Sequence, residues 1–283
     1  MTFLTLIDGL PEQSWPTTDR GLAYGDGVFE TCRMLQGQAP LFDLHWQRLS
    51  QSIQRLGFEL PFTADELKQY LSRAVSGDGL AKLIVTRGSG GRGYCPPEQA
   101  HARWSLQGMA VPETPLEYYQ QGVQVRSCQL KLSSQPALAG MKHLSCLEQV
   151  LARAEWQDNT IFDGLLFDLQ DHLIEATVCN VFLLQDHQLI TPKLDQSGVS
   201  GVMRAAIEQA CSAVGLSFVE RHIHRSEIAQ AEALFLSNSV RGIIPVSCWL
   251  EDGQMVARWP VLQPELKPLI AVLHSRLALP VIA

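Results

Sequence analysis

Lys142 is set apart from the other lysines of this chain by the residues around it. The chain has only six lysines: Lys68, Lys82, Lys131, Lys142, Lys193 and Lys267. Lys142 lies in the apolar, small-residue segment 138–144, immediately before a predicted helix. Burial in such a setting lowers the pKa of an amine, which then serves as a nucleophile or a base. The spacing alone leaves open a second interpretation, in which the stem of Lys142 packs on apolar residues while its ammonium group reaches water.

A second candidate is the glycine-rich segment 87–93, which carries Arg87 and Arg92. Its glycines match the GxGxxG spacing of dinucleotide-binding loops, but that motif must open a helix that binds the pyrophosphate. Pro96 and Pro97 follow instead and prevent this helix, so we reject a nicotinamide or flavin site. Two guanidinium groups on a glycine loop suit the binding of a carboxylate. The alternative is a flexible turn between two paired strands.

The composition is that of a folded protein, because 46% of the 283 residues are hydrophobic and 18% are charged. The 22 basic and 29 acidic residues give a net charge of -7, and the basic residues form no cluster. We therefore expect neither a nucleic acid nor an anionic membrane as partner.

The N-terminal sequence has no basic stretch, and Asp8 interrupts its apolar run, which predicts a cytoplasmic protein without a secretory signal. The most apolar segment, 268–283, contains His274 and Arg276 and is shorter than the ~20 residues of a membrane span. No transmembrane helix is therefore predicted. The seven cysteines are scattered and never form a CxxC pair. We expect free thiols, with no disulfide and no metal site.

Hydrophobic periodicity predicts a mixture of helices and strands, which is an α+β pattern. Helices are predicted over 43–56, from 63 onward, over 144–157, from about 199–203 to before 215, and from 264 onward. The segments 63–66 and 145–148 have the spacing of capping boxes. Strands are predicted over 28–35, 81–86, 102–110, 122–132, 165–168, 173–176, 181–184, 188–191, 233–236 and 242–249. The four short strands between 165 and 191 are predicted to form an antiparallel meander.

The segment 111–115 contains two prolines and has no periodicity, so we interpret it as a linker. It divides the chain into an N-terminal α+β domain, residues 1–110, and a C-terminal α+β domain, residues 116–283.

Five segments, taken in chain order, resemble the fold-type IV pyridoxal phosphate enzymes. They are Asp19–Glu30, His45-x-x-Arg48, Lys142, Glu175–Phe182 and Gly201–Arg204, and together they extend over nearly the whole chain. The resemblance implies the two-domain α+β fold of that superfamily, with the cofactor site at the domain interface. It also implies a homodimer and pyridoxal 5'-phosphate as cofactor.

The resemblance further assigns roles to individual residues, which match what the cofactor needs. Lys142 would bond the aldehyde carbon of the cofactor, and Glu175 would keep the pyridine nitrogen protonated. The remaining cofactor ligands would bind the phosphate, through a guanidinium group, through backbone N–H groups at a helix start, and through a hydroxyl group. These phosphate ligands are Arg48, Val202, Met203 and Ser239.

Within the superfamily, the segments 86–94, 142–144, 147–150 and 192–196 most resemble the aminodeoxychorismate lyases. This implies a lyase that converts 4-amino-4-deoxychorismate to 4-aminobenzoate and pyruvate, a step of folate biosynthesis. Arg92 would bind a substrate carboxylate, and Phe29 and Thr31 would line the substrate pocket on one face of a strand. Ser145 departs from the pattern, which has asparagine there.

Two other functions stay open at this point. The first is a fold-type IV aminotransferase that acts on D-amino or branched-chain amino acids, because the cofactor residues are shared. Phe29 argues against the D-amino acid version, which has a tyrosine at the matching position. The second is a non-catalytic interaction or storage protein, which would bind no pyridoxal phosphate.

Overall fold

The computed structural model describes residues 3–11, 14–261 and 263–281, and these form two compact units. Unit 1 comprises Met1–Pro112 together with Met141–Cys146, and unit 2 comprises Glu113–Gly140 and Leu147–Ala283. The segment that contains Lys142 thus belongs to unit 1, although it follows the predicted linker in the chain. Both units mix helices with strands, so the α+β prediction is confirmed.

Unit 1 contains a four-stranded antiparallel sheet and two helices of more than two turns. Its elements are β1 (Thr5–Ile7), α1 (Arg20–Tyr24), β2 (Gly27–Met34), α2 (Phe42–Leu56), α3 (Ala64–Ala74), β3 (Gly79–Thr86) and β4 (Arg103–Met109). The strand order is β1-β4-β3-β2, and every pair is antiparallel. β2 pairs with β3 from Gly27 opposite Thr86 to Met34 opposite Gly79. β2 is therefore an edge strand of this sheet.

Alternation along β2 determines which of its residues enter the core of unit 1. Val28, Cys32 and Met34 are buried in one cluster with Leu49 and Ile53 of α2. Successive strand residues face opposite sides of a sheet, so the even-numbered residues of β2 face the core. The odd-numbered residues face the other side.

α3 begins at the capping box that the sequence predicts. The Thr63 hydroxyl accepts a hydrogen bond from the Glu66 backbone N at 3.3 Å, and the Glu66 carboxylate accepts one from the Thr63 backbone N at 2.7 Å. Two N–H groups that no helical carbonyl can reach are thereby satisfied. The prediction of this helix start is confirmed.

Unit 2 contains a mixed nine-stranded sheet. Its elements are α4 (Leu116–Gln120), β5 (Val123–Leu132), α5 (Leu147–Arg153), β6 (Ile161–Asp168), β7 (Leu173–Ala176), β8 (Asn180–Gln185), β9 (Gln188–Pro192), α6 (Val202–Cys211), β10 (Ser217–Arg221), β11 (Ala233–Asn238), β12 (Gly242–Glu251), β13 (Gln254–Arg258) and α7 (Leu266–Arg276), with 3-10 turns at Ser212–Val214 and Arg225–Gln230.

The strands of unit 2 run in the order β10-β9-β8-β11-β12-β5-β6-β7, and β13 pairs with β12. The pairs β10–β9, β12–β5 and β5–β6 are parallel, and the other pairs are antiparallel. The central strands contribute Phe167, Val181, Leu236, Ile244 and Trp249 to a single buried cluster. Strands that are buried on both faces have near-continuous apolar sequences, as β8 and β11 do here.

The prediction of an antiparallel meander is wrong for its middle pair of strands, β7 and β8. β6 pairs with β7 and β8 pairs with β9, but β7 and β8 stand far apart in the strand order. Between them the buried Asp163 carboxylate accepts hydrogen bonds from the backbone N of Thr177 at 3.0 Å and from its hydroxyl at 2.5 Å. A turn centred on a side chain of β6 thus replaces the expected hairpin.

α5 is shorter than the helix that the sequence predicts over 144–157. It begins at Leu147, so Ser145 does not directly precede it, and the Glu148 carboxylate accepts a hydrogen bond from the Ser133 backbone N at 2.8 Å. β10 and β13, which no prediction included, consist mainly of exposed or half-buried residues and so show no apolar alternation.

No helix among the described residues has the length and the apolar composition needed to cross a membrane.

The Thr63→Ala variant should lower the free energy of unfolding by about 1 kcal/mol, because the Glu66 backbone N loses its acceptor. Urea unfolding followed by circular dichroism measures the change. Ser145→Ala is the matched control, since Ser145 has the same sequence spacing to a glutamate without the cap. It should change the free energy by less than about 0.5 kcal/mol. An equal loss in both variants would contradict this difference between the two segments.

Candidate functional site

The segment around Lys142 pairs with the free edge of β2. The Phe29 backbone N donates to the Lys142 carbonyl at 2.9 Å, and the Leu144 backbone N donates to the Gly27 carbonyl at 3.0 Å. Val28 and His143 form an antiparallel bridge between these two hydrogen bonds. The segment therefore acts as a short additional strand, which fixes the backbone of Lys142 against unit 1.

The Lys142 side chain is half-buried, and its Nζ lies 4.3 Å from the centre of the Phe29 ring. The Nζ of Lys82 lies 5.6 Å from the same ring. Lys82 is opposite Thr31 in the β2–β3 register, so Phe29 and Thr31 share the strand face that is turned away from the core. The aromatic face attracts an ammonium group and shields it in part from water. The predicted burial of Lys142 is thus partial, and an aromatic ring lies beside its ammonium group.

Arg48 is held by a carboxylate on the opposite face of β2. Its guanidinium group donates through Nε to the Glu30 carboxylate at 2.7 Å and through Nη2 to the other carboxylate oxygen. His45, one turn earlier on α2, shares Glu30 through its Nδ1 at 2.7 Å. Glu30 is only 2% exposed. The position of the Arg48 side chain is therefore fixed, and its predicted role toward a phosphate stays a prediction.

The pKa of Glu30 reflects this pairing. Burial by itself raises the pKa of a carboxyl group, but the charge of Arg48 and the hydrogen bond and charge of His45 outweigh it. They lower the pKa of Glu30 from the ordinary 4.5 to about 2. Glu30 is thus an anion at every physiological pH, and it compensates the charge of Arg48.

The two arginines of the glycine-rich segment 87–93 differ in their hydrogen-bond partners. Arg87 donates to the Asp26 carboxylate through Nε at 2.7 Å and Nη2 at 3.0 Å, and to the Leu56 carbonyl at 2.8 Å. Arg92 is exposed, and within the described part of the chain its guanidinium group makes no hydrogen bond or ion pair. Of the two, Arg92 keeps its donors available for a substrate carboxylate.

A residue that the sequence analysis did not select, Arg20, binds the backbone of the same loop. Its guanidinium group donates to the carbonyls of Gly93 at 3.0 Å and Tyr94 at 3.1 Å. The loop connects the paired strands β3 and β4, as the alternative interpretation predicts, and the buried side chain of Arg20 is hydrogen-bonded to its backbone.

In unit 2, Glu175 of β7 is 4% exposed, and its Oε2 accepts a hydrogen bond from the Val199 backbone N at 2.8 Å. The Val199 carbonyl in turn accepts a hydrogen bond from Asn180 Nδ2 at 2.8 Å. Val199 lies two residues before Gly201, where α6 is about to begin. Glu175 is thereby connected to the start of α6 through a single short segment.

α6 begins without a side-chain cap. Its N-cap residue is Gly201, and a Cβ atom there would overlap Asn180 Oδ1, so only glycine fits. Val202 and Met203 form the first turn, and both are buried. The N–H groups of a first helical turn carry partial positive charge and bind anions well. This helix start is suited to a phosphate.

The turn after β11 holds the fourth predicted phosphate ligand. Ser239 lies in this turn and is half-buried. Ser237, two residues earlier, is 1% exposed, and its Oγ has no hydrogen-bond partner among the described residues. A buried hydroxyl without a partner costs free energy unless a ligand or water satisfies it. This unsatisfied hydroxyl lies near the end of β11 and suits a polar ligand beside the turn.

Each unit, taken by itself, carries groups of the kinds that pyridoxal 5'-phosphate requires. Unit 1 has a half-buried amine and an arginine whose orientation is fixed. Unit 2 has a buried carboxylate, an uncapped helix start and a hydroxyl-bearing turn. The residues concerned are Lys142, Arg48, Glu175, Val202, Met203 and Ser239. An aldehyde, a pyridine nitrogen and a phosphate require groups of these types.

Comparison with known proteins gives concordant results. Residues 27–249 match the sequence model of the family described as amino-transferase class IV. An aminodeoxychorismate lyase of Vibrio harveyi is 32% identical over 242 residues, which are 85% of this chain and 89% of that protein. The crystal structure of 4-amino-4-deoxychorismate lyase from Pseudomonas aeruginosa is similar with a TM-score of 0.88 and 41% identity, covering 95% of this chain and 98% of that one. A D-alanine aminotransferase of Bacillus licheniformis is 28% identical over 249 residues, 84% of this chain and 83% of that protein.

The Glu30→Gln variant should lower the free energy of unfolding at pH 7 by about 3 kcal/mol, because Arg48 loses its counter-ion while it stays largely buried. Since the folded-state pKa of Glu30 is lowered, its contribution is complete above about pH 4.5 and is lost as the pH falls toward 2. The difference between the wild type and the variant should therefore shrink over that interval. Urea unfolding at a series of pH values measures it.

Glu59→Gln is the control for this pH series, because Glu59 is exposed. Its difference from the wild type should stay near zero throughout. A Glu30→Gln difference that is constant from pH 7 to pH 2.5 would contradict the pairing described for Glu30.

Proposed function

Because the chain belongs to the amino-transferase class IV family, we propose that it is a pyridoxal 5'-phosphate-dependent lyase that converts 4-amino-4-deoxychorismate to 4-aminobenzoate and pyruvate. The observation that carries the proposal is similarity over nearly the whole chain to proteins of that name, above all the Pseudomonas aeruginosa structure. The substrate is a small molecule, and its product is the aromatic amine used for folate.

The reaction places few demands on the protein. One C–O bond breaks, which releases the enolpyruvyl group as pyruvate, and one proton leaves the ring carbon that bears the amino group. The two products together contain all atoms of the substrate, so neither an oxidant nor water is consumed. The protein needs a base that removes this proton, a means to stabilise the electron pair left on the carbon, and groups that bind the substrate.

When bound, pyridoxal 5'-phosphate supplies the electron sink that accepts this electron pair. Lys142 is the residue proposed to hold the cofactor covalently before substrate arrives and, once released, to take up the proton at its Nζ. Backbone pairing with β2 fixes the Cα of Lys142, and the Nζ lies 4.3 Å from the centre of the Phe29 ring.

Glu175 is proposed to hold a proton on the pyridine nitrogen of the cofactor. Its carboxylate is buried and is oriented by the Val199 backbone N. A carboxylate in a buried setting favours the protonated state of a neighbouring ring nitrogen, because the charge pair is poorly screened. The electron sink is stronger when that nitrogen carries a positive charge.

The phosphate is proposed to bind at the start of α6 and at the turn after β11. Val202 and Met203 would donate backbone N–H groups, and Ser239 would donate its hydroxyl. Arg48 would add a charge-assisted hydrogen bond, which is worth about 1.5–3 kcal/mol. The uncapped Gly201 supports this assignment, because no side chain of the N-cap residue competes for these donors.

Arg92 is proposed to bind a carboxylate of the substrate, and Phe29 and Thr31 to line the pocket beside Lys142. The exposed guanidinium group of Arg92 supports the first assignment. The position of Phe29 and Thr31 on the face of β2 that also carries Lys142 supports the second.

A homodimer in the cytoplasm belongs to the same proposal. α5 supports the dimer, because Leu147, Val150 and Leu151 form one helix face and are 74%, 60% and 60% exposed. An apolar helix face of this kind is typical of a subunit interface. Light scattering on the purified protein measures the assembly, and a monomer would contradict this part of the proposal.

A second candidate function is amino transfer, and the similarity to the Bacillus licheniformis D-alanine aminotransferase favours it. Aminotransferases share the cofactor residues and differ in the fate of the amino group. In amino transfer the amino group stays on the cofactor at the end of the first half-reaction. In the lyase reaction it leaves with the aromatic product.

Product analysis distinguishes the two functions. With 4-amino-4-deoxychorismate, the wild-type protein loaded with pyridoxal 5'-phosphate should form 4-aminobenzoate and pyruvate in equal amounts, without accumulating pyridoxamine phosphate. Fluorescence of 4-aminobenzoate and a coupled pyruvate assay measure the two products.

The matched reaction uses D-alanine or a branched-chain amino acid in place of 4-amino-4-deoxychorismate. Stoichiometric conversion of the bound cofactor to pyridoxamine phosphate by these amino acids, with no 4-aminobenzoate formed in the first reaction, would contradict the lyase. A purified protein that stays colourless with added pyridoxal phosphate would contradict both candidate functions.

A further inference from the structure

Arg20 is a buried arginine whose donors are directed to the backbone of the glycine-rich loop. It is 5% exposed. Its Nη1 donates to the carbonyls of Gly93 at 3.0 Å and of Gly90 and Cys95, each at 3.3 Å, and its Nη2 donates to the Tyr94 carbonyl at 3.1 Å. One guanidinium group therefore binds four carbonyls of a six-residue stretch of the loop.

The backbone and the Nε of Arg20 are themselves held in place by hydrogen bonds. Arg20 is the first residue of α1, and the preceding Asp19 caps this helix by accepting from the Gly21 backbone N at 2.8 Å. Asp19 also accepts from the Thr86 hydroxyl at 2.7 Å, which fastens the helix start to the end of β3. The Nε of Arg20 donates to Asp26 at 2.8 Å, which sets the plane of the guanidinium group. The planar guanidinium group of Arg20 thus presents its five N–H donors in a defined orientation.

Three of the four carbonyls that Arg20 binds belong to the turn that begins at Arg92. The Cys95 backbone N donates to the Arg92 carbonyl at 3.2 Å and closes this turn. The next three carbonyls, of Gly93, Tyr94 and Cys95, all accept from Arg20. Because the backbone on the C-terminal side of Arg92 is held in this way, the direction in which its side chain leaves the loop is also determined.

A contact between tyrosines makes a second link from α1 to the loop. The rings of Tyr24 and Tyr94 meet edge to face, with their centres 5.3 Å apart. Arg20 lies over the Tyr24 ring at 5.1 Å. The loop is therefore packed on the short helix as well as hydrogen-bonded to it.

The loop that follows β3 and the segment that contains Lys142 both contact the N-terminal end of β2. Gly27 is opposite Thr86, the last residue before the loop, and its carbonyl accepts the hydrogen bond from Leu144. The Asp26 carbonyl accepts from the Arg87 backbone N at 3.1 Å. Asp26, which contacts the loop, and Gly27, which contacts the lysine segment, are thus adjacent residues at the start of β2.

We propose that Arg20 is a positioning residue for the substrate: it holds the loop 88–95 in the conformation from which Arg92 binds the substrate carboxylate. This inference rests on the proposed function, because it takes Arg92 as the carboxylate ligand. Arg20 touches neither substrate nor cofactor in this role and acts through Arg92.

The physical gain is preorganisation. A loop with glycines at positions 88, 90, 91 and 93 has many accessible conformations, and ordering it when substrate binds would reduce affinity. The hydrogen bonds of Arg20 order the loop during folding, so the binding step no longer bears that cost. The structure thereby combines a glycine-rich sequence with a fixed backbone on the C-terminal side of Arg92.

Arg20→Lys tests the proposal, with Arg87→Lys as the matched control. Both arginines are buried and both pair with Asp26, but Arg87 directs its remaining donors to Leu56 and Gly57 outside the loop. A lysine at either position keeps the charge near Asp26 and loses the planar fork. The two variants should therefore lose similar amounts of stability and differ only at the loop.

The first measurement is steady-state kinetics of the holoenzyme with 4-amino-4-deoxychorismate. Arg20→Lys should raise KM roughly tenfold and change kcat by less than about twofold, because the lost interaction acts on substrate binding. Arg87→Lys should leave KM within about twofold of the wild type. Equal KM values for Arg20→Lys and the wild type would overturn the proposal.

The second measurement is limited digestion with trypsin, which cleaves after Arg92 in the exposed loop. Arg20→Lys should speed cleavage between Arg92 and Gly93 roughly tenfold, since opening of the loop limits access. Arg87→Lys should leave the rate at this bond unchanged. Mass spectrometry of the fragments identifies the bond, and an unchanged rate in Arg20→Lys would overturn the proposal.

The third measurement asks whether Arg20 acts through Arg92. In the Arg92→Ala background, adding Arg20→Lys should raise KM by less than about twofold, because the group that Arg20 positions is gone. Full additivity of the two substitutions would overturn the proposal. Absence of 4-aminobenzoate with the wild type would instead contradict the proposed function, and the digestion rates would still report whether Arg20 holds the loop.

Discussion

The pairing of residues 142–144 with the edge of β2 is the interaction on which the candidate site depends. Lys142 lies far along the chain from β2, yet two backbone hydrogen bonds and one bridge make its segment part of unit 1. Backbone pairing fixes a position more firmly than a side-chain contact does, because it leaves no rotamer to choose. The Cα of Lys142 therefore has a defined place on the edge of β2, from which its Nζ reaches the Phe29 ring.

The same strand serves a second purpose through its other face. Successive residues of β2 point to opposite sides, so Phe29 and Thr31 face the lysine while Glu30 enters the core and fixes Arg48. A change of register by one residue would exchange these faces, placing a charged residue beside the lysine and aromatic bulk against α2. Pairing with β3 along the whole of β2 excludes that change. One edge strand thus orients both the amine and the arginine of the proposed site.

Local patterns predicted the features that depend on neighbouring residues. The capping box at Thr63 is confirmed, since both partners lie within one helical turn. The same spacing at Ser145 fails because Glu148 finds a competing donor, the Ser133 backbone N. The role of Arg20 escaped sequence analysis because the carbonyls it binds lie 70 to 75 residues away. The turn around Asp163 likewise depends on a partner 14 residues distant, and no periodicity reports it. Contacts of this range become visible only when the chain is folded.

The central claim is that Lys142 is the residue that bonds the cofactor. Borohydride reduction of the protein loaded with pyridoxal 5'-phosphate converts the lysine–cofactor bond to a stable secondary amine, and peptide mass mapping then identifies the modified lysine. We expect a single modified peptide that contains Lys142. Lys82 is the sharpest alternative, because its ammonium group faces the same Phe29 ring from 5.6 Å. Modification of Lys82, or of any lysine other than Lys142, would contradict the account.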